Sequence, residues 1–221
     1  MRVTVISPHP DDETLGCGGT LLKHKDAGDQ LDWIIVTRAH SPQWDAALLE
    51  RKEGEIAAVA AAYGFDQVVR LGFPTMRLDT LPLGDLISSL AQAVEQTQAN
   101  QLYLTHAGDI HSDHRLVFDA TMSALKSFNR KTSVTRLLSF ETLSSTEAAP
   151  ANPARAFVPN VFSNVTPFID RKLEIMSLYE TELQPFPLPR SLESIRALAR
   201  YRGATVGLEY AEAFMLIREL N

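Results

Sequence analysis

Two short stretches of the chain concentrate residue types that do chemistry: Ser7-Pro8-His9-Pro10-Asp11-Asp12-Glu13 and His106-Ala107-Gly108-Asp109-Ile110-His111-Ser112-Asp113-His114. Four of the six histidines and five carboxylates fall in them, more imidazole than solvated loops usually need. Imidazole nitrogen with carboxylate oxygen suits a borderline cation such as Zn2+, and a catalytic zinc site keeps three protein ligands and one open position for water. His9 and Asp12, close together in one turn, and His114 from the second stretch form such a set, which would equally accept Fe2+, Co2+ or Mn2+. Asp11 is then free to take a proton from water made acidic by the cation. His111 stands three residues before His114, so the two can share one side of a helix start. From there His111 can protonate a leaving amine or stabilise an oxyanion. Asp113 and Asp109 are candidates to orient an imidazole by accepting its second N–H.

Such loops need a scaffold, and the hydrophobic periods supply one. Short β-branched runs at Val3–Ile6, Leu31–Thr37, Val68–Leu71, Leu102–Thr105 and Val134–Phe140 read as strands. Helical patterns at Thr14–Lys25, Trp44–Tyr63, Leu83–Gln98 and His114–Lys126 alternate with them, Gly64 being a C-terminal cap. This alternation predicts an α/β fold: a Rossmann-like, three-layer α/β/α arrangement with a mostly parallel sheet. Residues 1–140 form the α/β core in this reading. Residues 141–221 form an irregular C-terminal extension on the substrate side that completes a single domain, 1–221. In that extension Thr146–Pro153 reads as a surface loop, Pro167–Tyr179 and Ser191–Arg200 as helices, and Ala211–Ile217 as a last strand. Both chemical stretches then follow the carboxyl end of a parallel strand, where open α/β sheets bind ligands.

Composition narrows the function classes. A net charge of −6 over 221 residues argues against a general nucleic-acid or anionic-membrane partner. The single cysteine, Cys17, allows no intrachain disulfide and favours a reducing compartment. No signal-like apolar stretch precedes Pro8 and Asp11-Asp12, and no run is long enough to span a membrane, so the expectation is a cytoplasmic protein.

Other readings of the same residues are weaker. Gly16-Cys17-Gly18-Gly19 invites a dinucleotide fingerprint, but its third glycine would fall at Leu21, and Asp11, Asp12 and Glu13 put negative charge where a pyrophosphate would sit. Tight helix-to-sheet packing through small residues is the better account of these glycines. Cys17 reads as a small buried hydrophobe rather than a nucleophile, and Ser7 lacks the Gly-x-Ser-x-Gly elbow. Glu141 is a hydroxyl-binding candidate by position. Phe157–Asn160, Phe186–Arg190 and Arg196–Arg202 read first as packing or solvated faces.

His9-Pro10-Asp11-Asp12-Glu13, the Gly-rich helix start Thr14–Leu21 and His111-Ser112-Asp113-His114 resemble the two defining motifs of the PIG-L (LmbE-like) family of zinc-dependent deacetylases. Arg51 and Glu55, Leu71-Gly72-Phe73-Pro74 and Tyr210–Phe214 also resemble family positions. The resemblance implies hydrolysis of an N-acetyl group on an N-acetylglucosamine-type sugar or conjugate, giving acetate and a free amine. It implies His9, Asp12 and His114 as metal ligands, Asp11 as base, and His111 as acid or oxyanion stabiliser supported by Asp113. It also implies a sugar contact at Arg51, a pocket wall formed by Phe186–Arg190 and Arg196–Arg202, and possible homo-oligomers. The chain departs from the family pattern at Thr75 and Met76, where an Asp often follows the proline, and at Asp109, where some members carry Tyr. A different polar partner or substrate follows, with Asp109 a substrate-contact candidate beside Arg51 and Glu141: another acylated amine such as an aminoglycoside, glycopeptide or thiol-cofactor precursor. A non-catalytic sugar-binding module of the same fold is the reading from another class.

Overall fold

The computed structural model describes residues 1–128 and 132–221. Five strands, β1 (Arg2–Ser7), β2 (Gln30–Arg38), β3 (Gln67–Pro74), β4 (Gln101–Thr105) and β5 (Arg136–Phe140), pair in parallel in the order β3-β2-β1-β4-β5. Two more, β6 (Val161–Asn164) and β7 (Ala211–Glu219), extend the sheet, β7 lying antiparallel to both β5 and β6. The central strands are buried on both faces, as their predominantly apolar runs predict: β1 is buried from Val3 to Ser7 and β2 from Leu31 to Thr37.

Helices cover both faces, giving the expected three layers. One core contains Val3, Val5, Trp33 and Phe140 of the sheet and is closed by α1 (Asp12–Asp26), α2 (Ala46–Tyr63), α5 (Ile169–Met176) and α6 (Leu192–Ala204). The other contains Ile6, Ile34, Leu102 and Leu104 and is closed by α3 (Leu83–Thr97) and α4 (Ser112–Ala124). In α2 the buried residues Ile56, Val59 and Tyr63 recur at helical spacing, Asp45 caps the start by accepting from Leu48 N at 2.8 Å, and Gly64 ends it at φ 65°. Among the described residues no helix is long and apolar enough to cross a membrane.

The sequence reading and the structure differ in three places that matter. The sequence pattern predicts no strand at β6, because Val161–Asn164 is a four-residue edge strand, only partly buried, with no alternating pattern. Helix α4 begins at Ser112, not His114, and this makes His111 its N-cap. Finally, α1 is broken: Cys17 takes φ −140°, ψ 17° inside it. The break is filled from the far end of the chain. Glu212 accepts from Gly19 N and Thr20 N at 2.8 and 2.7 Å, while Lys172 Nζ donates to Leu15 O at 2.9 Å and to Glu212 at 2.7 Å. The backbone groups freed by the break are thus satisfied by a buried ion pair. At Gly16 a Cβ would lie 2.0 Å from the Phe140 ring, so the glycine run serves close helix-to-sheet packing.

Candidate functional site

Strands β1 and β4 are neighbours at the middle of the sheet, the point where strand order reverses and a crevice opens. The loops leaving both strands meet there. The first turns sharply, with Asp11 at φ 126°, a conformation L residues rarely adopt. Glu13, fully buried, braces it: Asp11 N donates to Glu13 Oε2 at 3.1 Å, and Thr14 and Tyr179 hydroxyls donate to Oε1 at 2.6 and 2.7 Å. Burial pushes the Glu13 carboxyl above its usual range despite these donors.

Three imidazoles cluster at this crevice. His9, His111 and His114 each offer a nitrogen within 4.8 Å of the others. His9 Nδ1 lies 3.3 Å from His114 Nε2, and the Asp12 carboxylate sits 3.5 Å from the former and 3.3 Å from the latter. Each of these two rings is backed by an acid on its other nitrogen. His9 Nε2 is 3.0 Å from Asp113 Oδ2, and His114 Nδ1 is 3.1 Å from Asp109 Oδ2, the latter off the line of an ideal hydrogen bond. A proton on each outer nitrogen, assigned from these partners, leaves two nitrogen lone pairs and a carboxylate converging on one point.

The electrostatics agree with that geometry. Burial opposes charge on His9, but hydrogen bonds to Asp113 and Asp12 outweigh it and raise the imidazole to about 9. At His114 burial is likewise outweighed, by the Asp12 charge and the Asp109 contact, and the value rises to about 10. The pocket is built to hold positive charge between these rings, as a proton or as a cation. Two nitrogens and one carboxylate oxygen are a donor set that fits Zn2+ and its neighbours.

His111 differs. Its Nδ1 accepts from Asp113 N at 3.2 Å, capping α4, so the neutral ring carries its proton on Nε2 and has no lone pair to give there. Burial, then the nearby His9 and His114, lowers it to about 4. It is a neutral donor beside the convergence point.

A cleft of ≈ 850 Å3 opens over these groups. Asp11 lines it, its carboxyl raised well above the usual range by burial first and then by Asp12 and Glu182. Trp44, Leu48 and Leu49 give the cleft an apolar wall, and Lys52, Glu182 and Arg190 give it charge.

The sequence-predicted residues divide. His9, Asp11, Asp12, His111 and His114 come together at the cleft. Asp113 is beside them, but its side chain backs His9 rather than His111 and also accepts from Met76 N at 2.7 Å. None of the three substrate-contact candidates lines the cleft. Arg51 points to solvent and pairs with Glu180 at 3.3 Å. Asp109 is fully buried, its oxygens facing His111 N, His114, Ser145 and Thr146. Glu141 is clamped by Arg202 at 2.7 and 2.6 Å in a separate small cavity. Lys52 and Glu182 carry no motif that the sequence reading could have found, and Arg190 stands out there only within an apolar-and-Arg stretch.

Comparison with known proteins places this architecture. A relative from Escherichia coli (strain K12), the uncharacterized deacetylase YaiS, is 27% identical over 168 residues, which is 74% of this chain and 81% of YaiS. The crystal structure of the conserved protein TT1542 from Thermus thermophilus superposes with a TM-score of 0.80 at 27% identity, covering 100% of this chain and 96% of that one. The N,N'-diacetylchitobiose deacetylase from Pyrococcus horikoshii shares the fold, with a TM-score of 0.77 at 19% identity over 98% of this chain and 83% of that one. With both loops inside residues 4–125, the segment matched by the family model described as "PIG-L: GlcNAc-PI de-N-acetylase", the chain belongs to the PIG-L family.

Proposed function

We propose that the protein is a metal-dependent hydrolase that removes the N-acetyl group from an N-acetylglucosamine-type sugar or conjugate, releasing acetate and a free amine. The observation that carries this reading is the convergence of His9 Nδ1, His114 Nε2 and the Asp12 carboxylate, with Asp113 and Asp109 behind the two rings. The names of YaiS and of the Pyrococcus horikoshii enzyme, both deacetylases, support it.

In this reading His9, Asp12 and His114 hold the cation, Zn2+ by preference, with Fe2+, Co2+ or Mn2+ as substitutes. When bound, such a cation lowers the pKa of water and polarises an amide carbonyl. Asp11, which lines the cleft next to Asp12, takes the water proton. Neutral His111 offers its Nε2–H to the oxygen or nitrogen of the breaking amide. The cleft is larger than an acetyl group needs, and Lys52 and the apolar wall of Trp44 and Leu48 are the surfaces left for the rest of the substrate.

Acetate release from a panel of N-acetylglucosamine glycosides, with metal-replete and chelated protein, tests the reading. Release that stops on chelation and returns with Zn2+ or Co2+ is expected; release that ignores chelation overturns the metal step. The panel should include acylated aminoglycosides and glycopeptides, because Thr75 and the exposed Met76 line the cleft where the family often has an Asp.

A further inference from the structure

The candidate base is held by a residue far from the motifs. Arg190 Nη1 donates to Asp11 Oδ2 at 3.0 Å, and among the described residues this is the only hydrogen bond to the Asp11 carboxylate. The same nitrogen donates to Glu182 Oε2 at 2.7 Å, and Glu182 Oε1 accepts from Lys52 of α2. Glu55, also on α2, accepts from the backbone and hydroxyl of the adjacent Thr181 at 2.9 and 2.6 Å. The guanidinium is therefore anchored on the helix that forms the cleft wall. Its loop is closed by Gln184 N donating to Arg190 O at 3.1 Å, and Pro185, Pro187 and Pro189 restrict the backbone between.

This arrangement is not the cheapest one for an arginine. Arg190 Nε is buried with no hydrogen-bond partner among the described residues, and an unsatisfied buried donor is destabilising. A carboxylate turns about its last side-chain bond in a broad, two-fold well. With Oδ2 pinned, Oδ1 is the oxygen left to receive a proton.

We infer that Arg190 is a positioning residue that fixes the rotation of Asp11 for proton abstraction, an inference that rests on the hydrolase reading above. A plain ion pair filling space between Asp11 and Glu182 is the competing account, and the two differ in what a small guanidinium ion can repair.

The test uses the full chain, metal-replete, with the N-acetylglucosamine glycoside turned over fastest in the panel. Arg190→Ala is expected to lower kcat by about 10²-fold, the scale of a misplaced catalytic group, with KM changed by less than about threefold. Bound Co2+ absorption and Tm should match the wild type. Guanidinium chloride at non-denaturing concentration should restore kcat of Arg190→Ala by about tenfold, by occupying the vacated place as a planar donor. If Arg190→Ala does not fold, Arg190→Met keeps the stem and takes the same measurements. A kcat within about threefold of wild type, or a loss that guanidinium does not repair, overturns the inference. An inactive wild type overturns the hydrolase reading and this inference with it, whereas an active wild type with an indifferent Arg190 variant overturns this inference alone.

Discussion

His9 Nδ1 and His114 Nε2 face each other across 3.3 Å, although 105 positions separate the residues. Two ring nitrogens with lone pairs in that position repel unless something positive lies between them. Asp12 on the inner side and Asp113 and Asp109 on the outer sides prepare the place for that charge.

Removing the cation should therefore soften the whole molecule. Chelation is expected to lower Tm and added Zn2+ or Co2+ to restore it, since a ligand at 100 times its Kd stabilises by about 2.7 kcal/mol. Differential scanning calorimetry before and after dialysis against a chelator checks this, and an unchanged Tm would count against a resident cation.

Two carboxylates near the centre should fail in opposite ways. Asp109→Asn, behind His114, is expected to weaken metal affinity by about 10–100-fold. Asp11→Asn should keep the metal and lose about 10²–10⁴-fold in kcat. Metal titration and steady-state kinetics on both variants separate the roles.

His111→Gln removes the donor proposed to meet the amide and disturbs the cap of α4. A drop of about 10²–10³-fold in kcat is expected, with bound metal retained. Loss of metal instead would make His111 a ligand.

Acid stability should depend in part on His24, on the rim opposite the cleft chemistry. Burial lowers its pKa below the ordinary 6.5, against the raising effect of Asp29 at 2.7 Å. With the folded value below the unfolded one, the unfolded chain binds more protons between the two. Stability is then full above about pH 6.5 and is lost as pH falls through the folded value. Urea unfolding at pH 5 and 7.5 should show a larger loss for wild type than for His24→Gln.

The Lys172–Glu212 pair inside the α1 break is nearly inaccessible, at 2% and 5% exposure. Lys172→Met leaves Glu212 charged and half-compensated, and is expected to cost about 3–5 kcal/mol. Equilibrium denaturation measures it, and a change below about 1 kcal/mol would mean that water enters the break.

The clustering of the two loops could be read from the sequence because their chemistry is local: His9, Asp11 and Asp12 share one turn, and His111 and His114 one helix start. What stayed hidden depends on directions that spacing does not give. Arg51 and Lys52 are adjacent on α2, yet about 100° of helical rotation separates them, and only Lys52 turns into the cleft. Residue types alone make Asp113 a partner for some imidazole and the family resemblance assigns it to His111; its side chain instead crosses between loops to His9. The break in α1 has no local signal apart from the glycines, since Lys172 and Glu212, which fill it, come from elements more than 140 positions later.

Lys172, Tyr179, Arg190 and Glu212 all reach back to the turn and helix start after β1, from a part of the chain beyond the family-matched 4–125. The candidate ligands and the contacts that brace their turn are thus written in separate stretches of the polypeptide. On the proposed reading, a chimera that exchanges only the last third is expected to take its donor's bracing of Asp11 while retaining the recipient's candidate ion site.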